Sequence, residues 1–299
     1  MRIEQIVVSV ALPFNPVNVY LLLGEDVTLI DTGPLQGVSY TSLRSELRRL
    51  GFDLSMIDRI LITHGHVDHW GLLRRVQEAS GAEAYIHADD ADRVMDYGAY
   101  LDEQINFVAS NSEEFNLPKA VMDAIFSYRD YMTRFAEPPK DIETFRHGAW
   151  PLGEVWLRAL HTPGHSKGSV TYLYGTMGFS GDLLLIGGNP VIIDLGEYFR
   201  SLRAIRDGSV ERLLPGHGPI IDNPIELSFS SETMHLRELE RVIESLRERH
   251  QTVYELMCSL FGETPLSSPV SYIVLMVKLR QTLSYLGYLE KKGLVDAKR

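Results

Sequence analysis

The chain predicts a mixed α/β protein, and three observations carry that prediction. Short apolar runs bounded by turn residues recur through residues 1–35 and again through 155–185, which is the spacing of strands. Between and around them lie segments whose apolar residues recur at three and four, which is the spacing of helices. After about residue 225 only the helical pattern remains.

Composition narrows the class. The 299 residues are 44% hydrophobic and 23% charged, the balance of a soluble globular chain of one or two domains. A formal charge of −11 sets up a negative field that repels polyanions, so non-specific nucleic-acid binding is disfavoured. The single cysteine, Cys258, cannot form an intramolecular disulfide and sits beside Leu256, Met257 and Leu260 as a small buried hydrophobe. That usage fits a reducing, cytoplasmic compartment. The apolar run Ile6 to Leu12 follows Glu4 and stops at Pro13, too short to span a membrane and without the features of an export signal.

Taken in order, Ile6 to Val8, Val17 to Leu23 and Val27 to Ile30 read as the opening strands of a sheet, with Gly24-Glu25-Asp26 as the turn between the last two. Asp31-Thr32-Gly33 follows. In aspartic proteases this tripeptide supplies one of two paired carboxylates, but the chain carries it once, so no pair can form. Leu43, Leu47 and Leu50 share a helical face over Tyr40 to Leu50. Met56 to Ile62 reads as a strand, Trp70 to Val76 as a helix and Ala84 to His87 as the next strand. Residues 88–150 break this rhythm with many aromatics, the helical spacing Val121, Ile125, Tyr128, Met132, and a polar joint at Ser110 to Glu114. They read as a helical insertion that caps a site. Val155 to Leu160, Val170 to Tyr174 and Met177 to Leu185 then form a second set of strands, Gly187-Gly188-Asn189-Pro190 a loop, and Tyr198 to Leu202 the opening of a helix.

The chemistry concentrates between the strand at 56–62 and the helix at 70–76. Thr63-His64-Gly65-His66-Val67-Asp68-His69 places three imidazoles and a carboxylate in six positions, and no packing requirement produces that. Imidazole nitrogen and carboxylate oxygen are ligands for zinc and other first-row metals. His64 and His66 alternate along extended backbone and can aim at one ion, while Asp68 and His69, offset by the entry into a helix, can serve a second. His87 has no flanking partner and reads as a structural or rim residue.

The pattern His-x-His-x-Asp-His after an apolar strand resembles the metallo-β-lactamase superfamily. The likeness continues in order through Thr162-Pro163-Gly164-His165-Ser166, Ser180-Gly181-Asp182 and Pro215-Gly216-His217-Gly218-Pro219. It implies a four-layer αββα sandwich with a metal site at one edge. By this resemblance one ion takes His64, His66 and His165, the other takes Asp68, His69 and His217, and Asp182 bridges them. Asp68 also orients the attacking water, and Asp31 supports the ligands from behind. His161 falls outside the motif and is expected to be a hydrogen-bonding neighbour. Two divalent ions are expected, zinc first, with manganese or iron as the other options.

The resemblance divides the chain into a catalytic domain over 1–225, containing the helical cap at 88–150, and a helical, winged-helix-like C-terminal domain over 226–299. In this tail Leu236, Leu239, Ile243 and Leu246 share one face, and runs at 253–261 and 270–289 follow. The tail most resembles the group named after β-lactamase-like protein 2, some of whose members cut RNA. Tyr272 to Leu289 is apolar nearly all round, with Lys278 and Arg280 its basic residues, too apolar to read DNA. It is expected to pack on the sandwich or on the same element of a second copy, as in a homodimer. Lys291, Lys292, Lys298 and Arg299 form the one small basic cluster set against that reading. The expected activity is hydrolysis of an ester, thioester, lactone or phosphodiester bond in a small molecule by water activated between two metals. The alternatives are a persulfide dioxygenase holding one iron through two His and one Asp, and an endoribonuclease. β-Lactam hydrolysis is disfavoured because those enzymes are exported.

Overall fold

The computed structural model describes residues 2–296, so Lys298 and Arg299 lie outside the described residues. The first sheet runs in the order β1 (Arg2–Val8), β2 (Val17–Leu23), β3 (Val27–Ile30), β4 (Arg59–Leu61), β5 (Glu83–His87) and β6 (Glu143–Phe145). Its first three strands are antiparallel and β3 to β6 are parallel. The second sheet runs β11 (Arg212–Pro215), β10 (Met177–Gly181), β9 (Val170–Tyr174), β8 (Val155–His161), β7 (Ala149–Leu152), antiparallel except where β11 joins β10.

Strand β2 shows why the two sheets stack as inner layers. Its sequence, VNVYLLL, is apolar on both faces. Val17, Val19 and Leu21 enter a core shared with helices, and Tyr20 and Leu22 enter a core shared with the second sheet. The strand is buried on both sides, as a layer covered above and below must be. Trp150, Leu157, Tyr172 and Phe179 fill the space between the sheets from the other side.

Helices cover both outer faces. On the first lie α1 (Gly37–Arg49), α2 (Val67–Trp70), α3 (Leu73–Ser80), α4 (Ala88–Met95), α5 (Tyr97–Ser110) and α6 (Lys119–Met132). Over the second lie α7 (Leu195–Asp207), α8 (Pro224–Glu248), α9 (Val253–Phe261) and α10 (Pro269–Lys291). The αββα sandwich is the architecture the sequence predicts.

Two expectations need correction. The stretch 88–150 is helical only as far as Phe135, because β6 and β7 inside it are strands of the two sheets. The strand expected at 56–62 is shorter, beginning at Arg59 after a 3-10 turn over Leu54–Met56. The apolar helix at 272–289 lies within α10, which packs on α6, α9, α7 and α8 of its own chain. Leu275, Met276 and Leu279 enter the first helical core, and Tyr285 and Leu289 the second. It thereby joins the insertion to the far side of the sandwich. No strand follows α10 among the described residues.

His235 on α8 is enclosed by Tyr198, Phe199 and Tyr285, and its Nε2 is buried without a partner. Burial pushes its pKa down to about 4. A group whose folded pKa is depressed in this way is neutral in the native state, so the unfolded chain gains a proton first as pH falls. We therefore expect stability to drop between pH about 6.5 and 4, by up to about 3 kcal/mol from this residue. Urea melts of the wild type and of His235→Phe across that range check it, and the wild type should lose stability relative to the variant as pH falls.

Candidate metal centre

The parallel strands β3 and β4 end together, and their carboxyl ends carry Asp31 and Thr63-His64 into the same corner. In α/β sheets this is where ligands bind, because the loops that follow adjacent strands converge there. Asp31, at φ 60, turns back into the site. Its Oδ1 accepts from the Thr63 amide at 2.8 Å, and its Oδ2 accepts from Thr63 Oγ1 at 2.8 Å and from His69 Nδ1 at 2.8 Å. One carboxylate thus fixes both ends of the loop.

These bonds determine which nitrogen of each ring is bare. His69 donates Nδ1–H to Asp31, so its Nε2 carries the lone pair. Thr63 spends its hydroxyl proton on Asp31, so its oxygen accepts His64 Nδ1–H at 3.0 Å and leaves His64 Nε2 bare. His165 donates Nδ1–H to the Val191 carbonyl at 2.7 Å, and His217 donates Nδ1–H to the Pro16 carbonyl at 2.8 Å. Each of these four rings is oriented by a hydrogen bond on its outer nitrogen, the arrangement that metal-bound imidazoles use.

The bare nitrogens face one another and two carboxylates. His64 Nε2 lies 3.1 Å from His165 Nε2, which lies 2.6 Å from His66 Nδ1. His217 Nε2 is 3.3 Å from Asp68 Oδ2, and His69 Nε2 is 3.9 Å from the same oxygen. Asp182 stands between, with Oδ1 3.5 Å from His69 Nε2 and Oδ2 3.7 and 3.6 Å from His165 Nε2 and His217 Nε2. All seven motif residues are brought together. Two bare lone pairs 3.1 Å apart repel unless a cation or proton lies between them, and both His69 Nε2 and Asp182 Oδ1 are buried with no hydrogen-bond partner. The residues fit a pair of metal ions.

The electrostatics agree. Burial holds the His64, His66 and His165 pKa values below the ordinary range, which keeps these rings neutral and able to ligate. Burial also opposes charge on Asp182 and Asp68, but His217 and His69 outweigh it and both carboxyls stay ionised. For His217 and His69 burial is likewise overcome by the carboxylates around them, and His217 is raised to about 9. Without an ion the carboxylates favour a proton on the inward nitrogens of His69 and His217, the position a cation would take.

Several residues that hold this geometry carry no motif signal. Asn18 donates its side-chain amide to the Pro215 and Gly218 carbonyls at 2.9 and 2.8 Å, and the Tyr20 hydroxyl donates to Pro215 at 2.8 Å, so β2 clamps the His217 loop. Gly216 permits the close fit, since a Cβ there would stand 2.5 Å from the His69 ring and 2.6 Å from Asp182 Oδ1. Asp90, on α4, accepts from the Gly65 amide at 2.7 Å, Ser166 Oγ at 2.5 Å and the Gly168 amide at 3.0 Å. It ties the loop of His64 to the loop of His165.

His87 and His161 form a second imidazole cluster with Asp89. Their rings stack at 4.1 Å with planes 12° apart, so their in-plane lone pairs lie in separate, nearly parallel planes and do not meet on one ion. His87 Nδ1 caps α4 by accepting from Asp89 N, His161 Nε2 donates to the Lys167 carbonyl, and Arg146 occupies Asp89. Both histidines are structural, as the sequence suggests.

A family model described as the metallo-beta-lactamase superfamily matches residues 12–217. A probable metallo-hydrolase, YqjP of Bacillus subtilis, is 27% identical over 281 residues, covering 86% of this chain and 85% of the relative. A beta-lactamase-like protein 2 homolog of Drosophila melanogaster is 29% identical over 221 residues, covering 72% of this chain and 63% of its own length. Among solved structures, the metallo-beta-lactamase family protein TTHA1429 of Thermus thermophilus superposes with a TM-score of 0.82 over 98% of this chain and 95% of that one, at 23% identity, a likeness of fold. No described helix is long and apolar enough to cross a membrane. With the matched region covering every strand but β1 and all seven converging His and Asp residues, the chain belongs to the metallo-β-lactamase superfamily and is a metallohydrolase similar to the β-lactamase-like protein 2 group.

Proposed function

We propose that the chain is a dinuclear hydrolase that cleaves an ester, thioester, lactone or phosphodiester bond of a small molecule. The observation that carries this is the set of bare nitrogens on His64, His69, His165 and His217, each anchored from its far side and converging with Asp68 and Asp182. His64, His66 and His165 would hold one ion, Asp68, His69 and His217 the other, with Asp182 shared between them. Two divalent ions there supply Lewis acidity, lowering the pKa of water toward neutrality and polarising the oxygen of the scissile bond.

The residues of the chain do the rest. Asp68 is part-exposed at the mouth and ionised, so it can accept a hydrogen bond from water and aim its lone pair. Neither Ser nor Cys is placed to form a covalent intermediate by the ligand set described, so attack by water is direct. Beside His217 a groove of about 520 Å³ is lined by Val7, Pro16, Leu185, Ile186 and Gly188. It offers an apolar wall to one end of the substrate.

Elemental analysis after reconstitution tests the reading. Two zinc ions per chain are expected, together with turnover of at least one member of a screen of esters, thioesters and phosphodiesters. A stoichiometry that stays near one with zinc or manganese would remove the dinuclear mechanism, and one iron per chain with oxygen uptake on a persulfide would put the dioxygenase in its place.

A further inference from the structure

Two arginines at the opposite end of the metal centre from the His217 groove have no counter-charge. Arg93, on α4, is 7% exposed, and its Nε is buried without a hydrogen-bond partner. Its stem passes beneath the metal loop, where a Cβ on Gly65 would stand 2.8 Å from Arg93 Cδ. Its guanidinium lies 4.4 Å from the centre of the Tyr100 ring. Arg280, on α10, has a buried Nη2 that is also unpartnered. Neither guanidinium forms an ion pair with any described carboxylate, although Asp90 lies one turn from Arg93, because Asp90 is fully engaged by Gly65, Ser166 and Gly168.

A buried guanidinium with free donors is costly, and two of them beside neutral imidazoles are more so. The positive charge of both arginines opposes charge on His66, and Arg280 has Tyr97, Tyr100 and Tyr128 near it, the last as a hydrogen-bond partner that leaves Nη2 free. Tyrosine faces and hydroxyls soften the cost of the charge without neutralising it. What completes the arrangement is an anion arriving from outside, and the planar donor fork of Arg matches carboxylate and phosphate oxygens.

We propose that Arg93 and Arg280, with Tyr97, Tyr100 and Tyr128, form an oxyanion subsite at the His66 end of the metal centre that takes a carboxylate or phosphate remote from the bond being cleaved. This rests on the hydrolase reading above and narrows its substrates to small anionic esters or thioesters, with the apolar groove at His217 taking the uncharged end. It also gives the C-terminal helix a part in specificity, since α10 supplies Arg280 while packed on α6 of the insertion.

The test uses the zinc-loaded full chain and two matched substrates, para-nitrophenyl hemiglutarate and para-nitrophenyl pentanoate, which differ in a terminal carboxylate against a methyl. The wild type should favour the anionic ester in kcat/KM by roughly 10- to 100-fold, and Arg280→Gln and Arg93→Gln should each cut that ratio roughly tenfold, mainly through KM. Arg280→Lys, which keeps the charge and loses the fork, should fall between. Calorimetric titration with inorganic phosphate is read beside it, and each Gln variant should weaken binding roughly tenfold. If both esters are cleaved with equal efficiency by the wild type, the subsite is wrong and the hydrolase reading stands. If neither ester is cleaved, the phosphate titration decides alone: weakened binding in the variants supports the subsite, and unchanged binding overturns it. A Gln variant that does not fold leaves the wild-type ester preference as the deciding measurement.

Discussion

Replacing Asp182 by Ala is expected to lower hydrolytic turnover by roughly 10³-fold, the loss of several kcal/mol of charge stabilisation, and to leave fewer than two metal ions bound per chain. The residue follows β10 at a register shift, where the strand leaves its ladder and turns the carboxylate toward both ligand triads. Its two oxygens lie 3.5 to 3.7 Å from nitrogens of His69, His165 and His217, so in the dinuclear reading it is the group that would be common to both ions. No other described carboxylate reaches both sides. The fold should survive, because the side chain touches neither sheet core and its removal relieves a buried charge. Circular dichroism, metal analysis and turnover on the same preparation check this together. A variant that folds, holds two ions and turns over near the wild-type rate would show that Asp182 does not bridge.

Much of this was legible in the sequence, for a physical reason. Strands β2, β3 and β9 begin and end where the apolar runs do, because turn residues such as Gly24-Glu25-Asp26 bound them sharply. The ligand loop was legible because metal binding needs residue types that packing does not place so densely. The overextended insertion is a different case. Strands β6 and β7 are only three and four residues long, ETF and AWPL, and a proline and a burial pattern that alternates over so few positions leave nothing for a periodicity to register. The residues that orient the ligands were not legible either. Asn18 bonds Pro215 across 197 positions, and an asparagine in a strand carries no sign of such a partner. Arg280 looked like one of two basic residues on a helix otherwise apolar, and only the fold shows that this helix brings it to the tyrosines of the insertion.

Asp90 is the sharpest instance of a residue that the sequence hides, and its removal should have the largest effect on stability. It sits in Ala88-Asp89-Asp90, an acidic helix start of an ordinary kind, where a carboxylate favours the first turn. Yet it is 4% exposed and accepts three hydrogen bonds, from residues 25, 76 and 78 positions away. Asp90→Ala would leave the Gly65 and Gly168 amides unsatisfied in the interior, with the Ser166 hydroxyl keeping only Ser169 Oγ as partner, and at about 1–3 kcal/mol for each amide the expected loss is about 4 kcal/mol. In a chain of this size that lowers the melting temperature by on the order of 10 °C. The same change frees the loop of His64 and His66 from the loop of His165, so zinc affinity should weaken roughly 10- to 100-fold, as it does when the groups that orient metal ligands are lost. Asp90→Asn keeps the shape and one acceptor oxygen and should recover part of both losses. Thermal melts with and without zinc separate the two effects, because a purely structural role would lower the metal-free melt and leave the zinc-dependent increment unchanged, whereas the clamp described here requires that increment to shrink as well.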